Sequence, residues 1–318
     1  MLHNTGIVEM FINNTMRVSF CLYHKVHANS ALGHPSVNFQ DVKTLLNMIR
    51  PYHGLMVHSR DHSHVLDSLN ASCSSSIILF LRALSPTKSF QVIASDIHMS
   101  LNHVFKIARH LVAWGKAFII YPLCDSNVYM ISHNADLQKV YELADDFQYH
   151  FSFGLSRTLK IFSQPTALRE LQGRNQPFES NQEALMHIVV WMLKHKVLIQ
   201  CHEYVYFACD PVVVDGAEMS FSEVRACFER VAQESATSAT MSELPEACRR
   251  VFERIILPLK DRDLADFFRL FKYFDGKHHF EDIMFNEDLR RPTLNAVIGK
   301  FAAVLETRVR KDSSTIFC

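Results

Sequence analysis

The sequence predicts an α+β, helix-rich protein made of tandem winged-helix-like units with short β-hairpin wings. Three observations carry that reading. The stretches "LVAWGKAFIIYPLCDSNVYMI" and "VVWMLKHKVLIQCHEYVYFA" share one grammar: an apolar helix, a lysine, a strand, a tight turn and a strand that begins Val-Tyr. Leu101, Val104, Phe105, Ala108, Leu111 and Val112 fall at the spacing of a buried helix face, as do Ala184, Leu185, Ile188, Val189, Met192 and Leu193. The opening "TGIVEMFINNTMRVSFCL" reads as a β-hairpin turning at Asn13 and Asn14, the tail of a further copy.

Taken in order, residues 1–27 are the hairpin remnant of a winged helix. A lone hairpin is marginal in water, so its natural cover is expected in a longer product. Residues 28–88 form an α/β connecting segment. There Val42, Leu45, Leu46 and Ile49 mark a helix that Pro51 stops, "GLMVHS" is a short strand, and an apolar helix runs from about Ile77 to Leu84. Residues 89–135 are a winged-helix-like unit, with Ser100 as N-cap, Gly115 as C-cap and a two-strand wing turning at "CDSN". Residues 136–209 repeat it. Ser180 and Glu183 have capping-box spacing, and "KVLIQC" and "VYFAC" are two strands joined by a turn at "HEY". Residues 210–258 read as a flexible linker, most clearly in "QESATSATMSEL". Residues 259–318 form a C-terminal helix-turn-helix or winged-helix-like unit. Its helices centre on Phe267, on Ile283 and on Val297, the last running from Leu294 to Leu305, with "FNEDLRR" as the turn.

Composition narrows the function. The 318 residues carry 33 basic and 33 acidic side chains, and a protein that neutralises many phosphates usually has a basic surplus. The eight cysteines form no Cys-x-x-Cys pair, which argues against a zinc ribbon, and no secretory signal is visible. Both features fit a reducing, cytoplasmic setting. Apolar runs such as "IILFL" fall far short of the roughly 20 residues that span a bilayer. With nine glycines and no phosphate-loop, dinucleotide, nucleophile-elbow or His-Glu-x-x-His motif, the sequence predicts no enzyme and no cofactor.

The stretch "GKHHFEDIMFNEDLRR" holds the most chemistry and admits three readings. A metal site would draw on His278, His279, Glu281 and Asp282; His278 and Asp282 lie four apart on a helix, but no third ligand is placed, so a solvated polar face is expected and no metal. The histidine-rich "HSRDHSH" from His58 to His64 is read the same way, as a polar surface loop. A winged-helix DNA-binding transcriptional regulator is the alternative function. Asn102, His103, Lys106, Arg109 and His110 make one mildly basic face, but the outward residues after Pro292 are poor in donors for bases. The third reading is a protein-docking surface, with exposed His278, His279, Arg290 and Arg291 as candidate interface residues.

The blocks "RVSFCLYHKVH", "IRPYHGLMVHS", "HLVAWGKAFIIYPLCDSNVYMIS", "IVVWMLKHKVLIQCHEYVYF" and "YFDGKHHFEDIMFNEDLRR" are, in that order, similar to the nitrogen permease regulator 3 (nitrogen permease regulator 3-like) family. They cover most of the chain. The resemblance implies a non-catalytic scaffold subunit of GATOR subcomplex one, which activates GTP hydrolysis by Rag GTPases and inhibits TOR complex one signalling in amino-acid starvation. It implies as partners a nitrogen permease regulator 2-like subunit and a DEP-domain subunit of the same complex, with Rag GTPases reached indirectly. It further implies a cytoplasmic protein recruited to the lysosomal or vacuolar membrane without inserting into it. In that family the arginine finger belongs to the sister subunit, so no catalytic residue is expected here. The family begins with a longin domain, and this sequence is expected to lack it. On this resemblance "GKHHFEDIMFNEDLRR" opens a docking helix-turn-helix, and its histidines and arginines contact a subunit.

Overall fold

The computed structural model describes residues 6–30, 39–58, 66, 73–133, 135, 137–151, 154–171, 182–208, 212–214, 217–219, 221–233, 261–312 and 315. The chain is α+β and divides into two compact units. One is Met1–Cys201 with Lys311–Cys318, and the other is His202–Arg310.

The first unit opens with the expected hairpin, β1 (Ile7–Ile12) and β2 (Met16–Cys21), paired antiparallel. Ile12 faces Met16 across a three-residue loop, in which the Thr15 amide donates to Ile12 O at 3.1 Å and Asn13 and Asn14 both take positive φ (50° and 58°). Helices α1 (Tyr23–Ser30) and α2 (Phe39–Asn47) follow, then β3 (Gly54–Val57), α3 (Ser75–Ala83), α4 (Phe90–Asp96), α5 (Leu101–Ala113) and β4 (Ala117–Ile120). Strands β3 and β4 pair antiparallel, and all eight residues are buried. The pleat explains it. Leu55, Val57, Ala117 and Ile119 join one core with Phe80, Phe90 and Val104, while Met56, Phe118 and Ile120 point the opposite way into a second core.

That second core lies among β5 (Val128–Ile131), α6 (Leu137–Phe151), α7 (Leu155–Ile161), β6 (Thr166–Ala167), α8 (Leu168–Leu171), α9 (Gln182–Lys194) and the start of β7 (Leu198–Phe207). Tyr129, Phe147, Phe162 and Ile188 are fully enclosed in it. Full burial of such side chains is worth about 1.5–3 kcal/mol each.

The repeat seen in the sequence returns as a repeated helix end. After α5 the amide of Gly115 donates to Val112 O and that of Lys116 to Leu111 O; after α9 Lys196 donates to Leu193 O and Val197 to Met192 O. Both are Schellman closures, with Gly115 (φ 61°) and Lys196 (φ 59°) in the left-handed region.

The expected wing at "CDSN" is not a hairpin. β4 pairs with β3, whereas β5 pairs with β6 and with Leu198–Cys201 of β7. The chain leaves the first ribbon at Tyr121, whose backbone N–H and C=O are satisfied by the side-chain amide of Gln200, each at 2.9 Å. Pro122, which cannot donate, comes next. The Tyr121 hydroxyl donates to Asp312 Oδ2 at 2.7 Å.

The expected turn at "HEY" is also absent, because β7 runs unbroken through His202, Glu203 and Tyr204. In the second unit, β8 (Val212–Val214), β9 (Ala217–Met219) and α10 (Phe221–Gln233) lie inside the stretch expected as a linker. Phe228 of α10 is buried and stacks on Phe271 at 5.5 Å. "QESATSATMSEL" lies outside the described residues after its first glutamine. Helix α11 (Asp261–Leu270), a 3-10 turn (Phe271–Tyr273), β10 (Asp275–His279), α12 (Phe280–Glu287), α13 (Arg291–Lys300) and β11 (Leu305–Lys311) complete the chain. The last helix expected to reach Leu305 ends at Lys300, and a strand follows. An aromatic core, in which Phe267 stacks on Phe301 at 4.2 Å, holds α11 to α13. No helix among the described residues is long and apolar enough to cross a membrane.

Candidate functional site

The stretch "GKHHFEDIMFNEDLRR" folds as β10, α12 and the entry to α13 in the second unit. Strand β10 pairs with β7, Asp275 opposite Tyr206 and His279 opposite Tyr204, with a bulge between them. Gly276 sits in the bulge at φ 72°, and a Cβ there would lie 2.0 Å from the Tyr206 ring. Only glycine meets both demands.

His279 ends the strand and caps α12: its Nδ1 accepts the Asp282 amide at 3.1 Å. The next turn places Glu281 at the centre of a polar cluster. Its Oε2 lies 3.0 Å from His202 Nδ1 and 3.3 Å from His279 Nδ1, and its Oε1 accepts from Arg291. Arg291 reaches on to Glu203 Oε2 at 3.0 Å, and its guanidinium lies 5.5 Å from the Phe280 ring centre. Burial pushes the Glu281 carboxyl up, but the hydrogen bond from His202 and the nearby Arg291 charge outweigh it and hold it well below the usual carboxylate range.

His202, His279 and Glu281 also offer three ligand atoms within 4.8 Å of one another, the third ligand that the sequence did not place. The surroundings do not favour a cation. The lone pair of His279 Nδ1 is already committed to the Asp282 amide, and Arg291 brings a positive charge onto the same carboxylate. The arrangement is a polar clasp that joins β7, β10, α12 and α13.

A second clasp closes the other end of α12. Glu287 accepts from Arg269 Nε at 2.6 Å and from the Tyr273 hydroxyl at 2.8 Å, and lies 2.8 Å from Lys272 Nζ. Burial raises this carboxyl, but the bonds from Lys272, Arg269 and Tyr273 bring it down to about 2.

The four candidate interface residues therefore separate. His279 is buried (6% exposed), and Arg291 is turned into the first clasp with its side chain 18% exposed. Expecting both on the surface is corrected: strand alternation turns His279 inward, and two carboxylates draw Arg291 in. His278 is at the margin of the surface, its Nδ1 2.5 Å from Asp282 Oδ2. Arg290 is exposed and ends the turn as the N-cap of α13; its carbonyl accepts the Leu294 amide at 3.1 Å, and its side chain makes no hydrogen bond or ion pair among the described residues. The outward residues of α13 are Thr293, Asn295, Ala296, Gly299 and Lys300, and Lys300 is held by Asp263 at 2.6 Å. That face offers little to a base edge. Of the histidine-rich stretch at His58–His64, only His58 lies within the described residues.

The sequence marked Glu281 only among four possible metal ligands, not as the centre of a cluster, and it did not mark His202, which bonds Glu281, or Glu203, which bonds Arg291. The two β7 residues lie 79 and 88 positions from the groups they bind. No local spacing could have linked them.

A family model described as Nitrogen Permease regulator of amino acid transport activity 3 matches residues 13–214, and one described as GATOR1 complex protein NPRL3, C-terminal HTH, matches residues 238–306. The chain is similar to the GATOR complex protein NPRL3 of Drosophila melanogaster, 26% identical over 96% of this chain and 63% of that protein. It is also similar to the GATOR complex protein NPRL3 of Caenorhabditis elegans, 24% identical over 98% of this chain and 59% of the relative. Nitrogen permease regulator 3 of Aspergillus oryzae is 27% identical over 56% of this chain and 25% of its own length. The chain thus spans less than two thirds of the length of these curated relatives.

Proposed function

The chain belongs to the nitrogen permease regulator 3 family, and on that premise we propose that it is a non-catalytic scaffold subunit of the GATOR1 complex. The observation that carries this reading is the pair of family matches, which follow one another in family order along nearly the whole chain. In this reading the chain positions a nitrogen permease regulator 2-like subunit and a DEP-domain subunit. The assembly promotes GTP hydrolysis by Rag GTPases at the lysosomal or vacuolar membrane, and so restrains TOR complex one when amino acids are scarce. The catalytic arginine comes from the sister subunit. Arg291 is engaged by Glu281 and Glu203 and cannot reach outward without leaving both. Arg290 is the exposed basic side chain of "FEDIMFNEDLRR" that offers itself to a neighbour.

The test is co-expression with those two subunits, followed by size-exclusion chromatography. Co-elution of the three chains at the summed mass is expected. Elution of this chain alone, folded, at its own mass of 36.6 kDa would overturn the proposal.

A further inference from the structure

We propose that the outward face of α6 is a docking surface for a partner segment that carries arginines. The inference rests on the reading that the chain works in an assembly, and it adds a place and a chemistry. The inner face of α6 fixes the helix in rotation: Phe147 is fully buried, edge-to-face with Trp191 at 5.0 Å, and Val140, Leu143 and Phe151 pack against the same core. The outer face then holds Tyr141 and Tyr149, which are 84% and 85% exposed, the highest values of any large hydrophobic side chain among the described residues. They are eight positions apart, about 12 Å along the axis. Tyrosine is concentrated at the energetic centres of protein interfaces, where its rigid ring contributes area at low entropic cost.

Charge says what kind of partner fits. Glu142 and Asp145 lie exposed between the two rings, with no hydrogen bond or ion pair among the described residues. Asp146 is 3.5 Å from His150 on the same helix. After Lys139 in its first turn, α6 carries no further lysine or arginine. A surface of tyrosine rings around carboxylates that have no ion partner among the described residues is complementary to a guanidinium, which stacks flat on the ring and bonds the carboxylate in bidentate fashion. An ammonium supplies the charge without the flat stack. The chain uses the same pairing internally, where the Arg310 guanidinium lies 4.0 Å from the Tyr204 ring centre.

The test places the photo-crosslinking residue benzoylphenylalanine at Tyr141 or Tyr149 of the full chain in cells, and identifies crosslinked peptides by mass spectrometry. A control places it at Gln91, an exposed position on α4. Crosslinked peptides with an arginine within about four residues of the attachment point are expected. In the Glu142→Lys/Asp145→Lys background their yield should fall at least tenfold, while crosslinks from the Gln91 position are unchanged. A yield no higher than that of the control, an acidic or wholly apolar crosslinked peptide, or a yield that survives the charge reversal would overturn the proposal. Co-elution of the three subunits without such crosslinks removes the surface and leaves the complex standing. An arginine-bearing peptide from a protein outside the complex, with no co-elution, does the reverse.

Discussion

Replacing Glu287 with glutamine removes one negative charge from a site that holds two cations and a phenol hydroxyl around it. The wild-type carboxyl sits at about 2 against an ordinary value of 4.5. That gap, about 2.5 pH units at roughly 1.4 kcal/mol each, gives a ceiling of about 3.4 kcal/mol. The carboxylate is well covered, but the side chains of Arg269 and Lys272 are 48% and 63% exposed, so water and salt screen the pair. A stabilisation of about 1–2 kcal/mol is therefore expected at neutral pH. The sign follows from the direction: a carboxyl lowered on folding stabilises above its unfolded value, and the contribution drains away as pH falls from about 5 towards 2. Both tryptophans, Trp114 and Trp191, lie outside residues 202–310, so tryptophan fluorescence does not report on this unit. Amide hydrogen exchange of peptides from α11 and α12 does. Exchange in Glu287→Gln should be about 5–30-fold faster than wild type at pH 7. In urea unfolding followed by circular dichroism, the wild-type advantage should shrink below pH 4 and vanish near pH 2. An advantage that is absent at pH 7, or that holds unchanged at pH 2, would refute the reasoning.

Gly276→Ala adds a Cβ against the Tyr206 ring and forces alanine to positive φ, so a loss of about 2 kcal/mol or more is expected in the same exchange assay. Lys196→Gly relieves a non-glycine residue at φ 59° in the closure of α9, and should stabilise the first unit by roughly 0.5–1 kcal/mol in urea unfolding followed by tryptophan fluorescence. Arg291→Glu sets three carboxylates against one another around Glu281 and Glu203; a loss of roughly 3 kcal/mol is expected, seen as exposed α12 amides. Arg290→Glu, by contrast, should leave exchange unchanged and weaken three-subunit assembly severalfold in a titrated co-elution assay.

The sequence made local features legible and long-range ones obscure. Helix α5 over 101–113, the Asn13–Asn14 turn and the helix end at Gly115 each follow from residues within a few positions of one another, whereas the matching closure at Lys196 has no glycine to mark it. The wings failed for the opposite reason. Whether "AFII" pairs with "VYMI" is decided by β3, more than 60 positions upstream, and by Gln200, which takes the place of a strand partner at Tyr121. "HEY" resembles a turn because it is polar, yet His202 and Tyr204 are buried, since Glu281 receives the one and His279 covers the other. The strand β11 was hidden behind an apolar helix pattern that ran past Lys300. At the site, the residue types in "HHFED" pointed to polar chemistry, but which of them face inward depended on the bulge at Gly276.

The most direct test of the central claim is native purification of the full chain through a small tag from cells grown with and without amino acids, with quantitative mass spectrometry of what stays bound. The account predicts a nitrogen permease regulator 2-like subunit and a DEP-domain subunit in near-equal amounts with the chain. Neither subunit bound to a folded, monodisperse chain under either condition would contradict it.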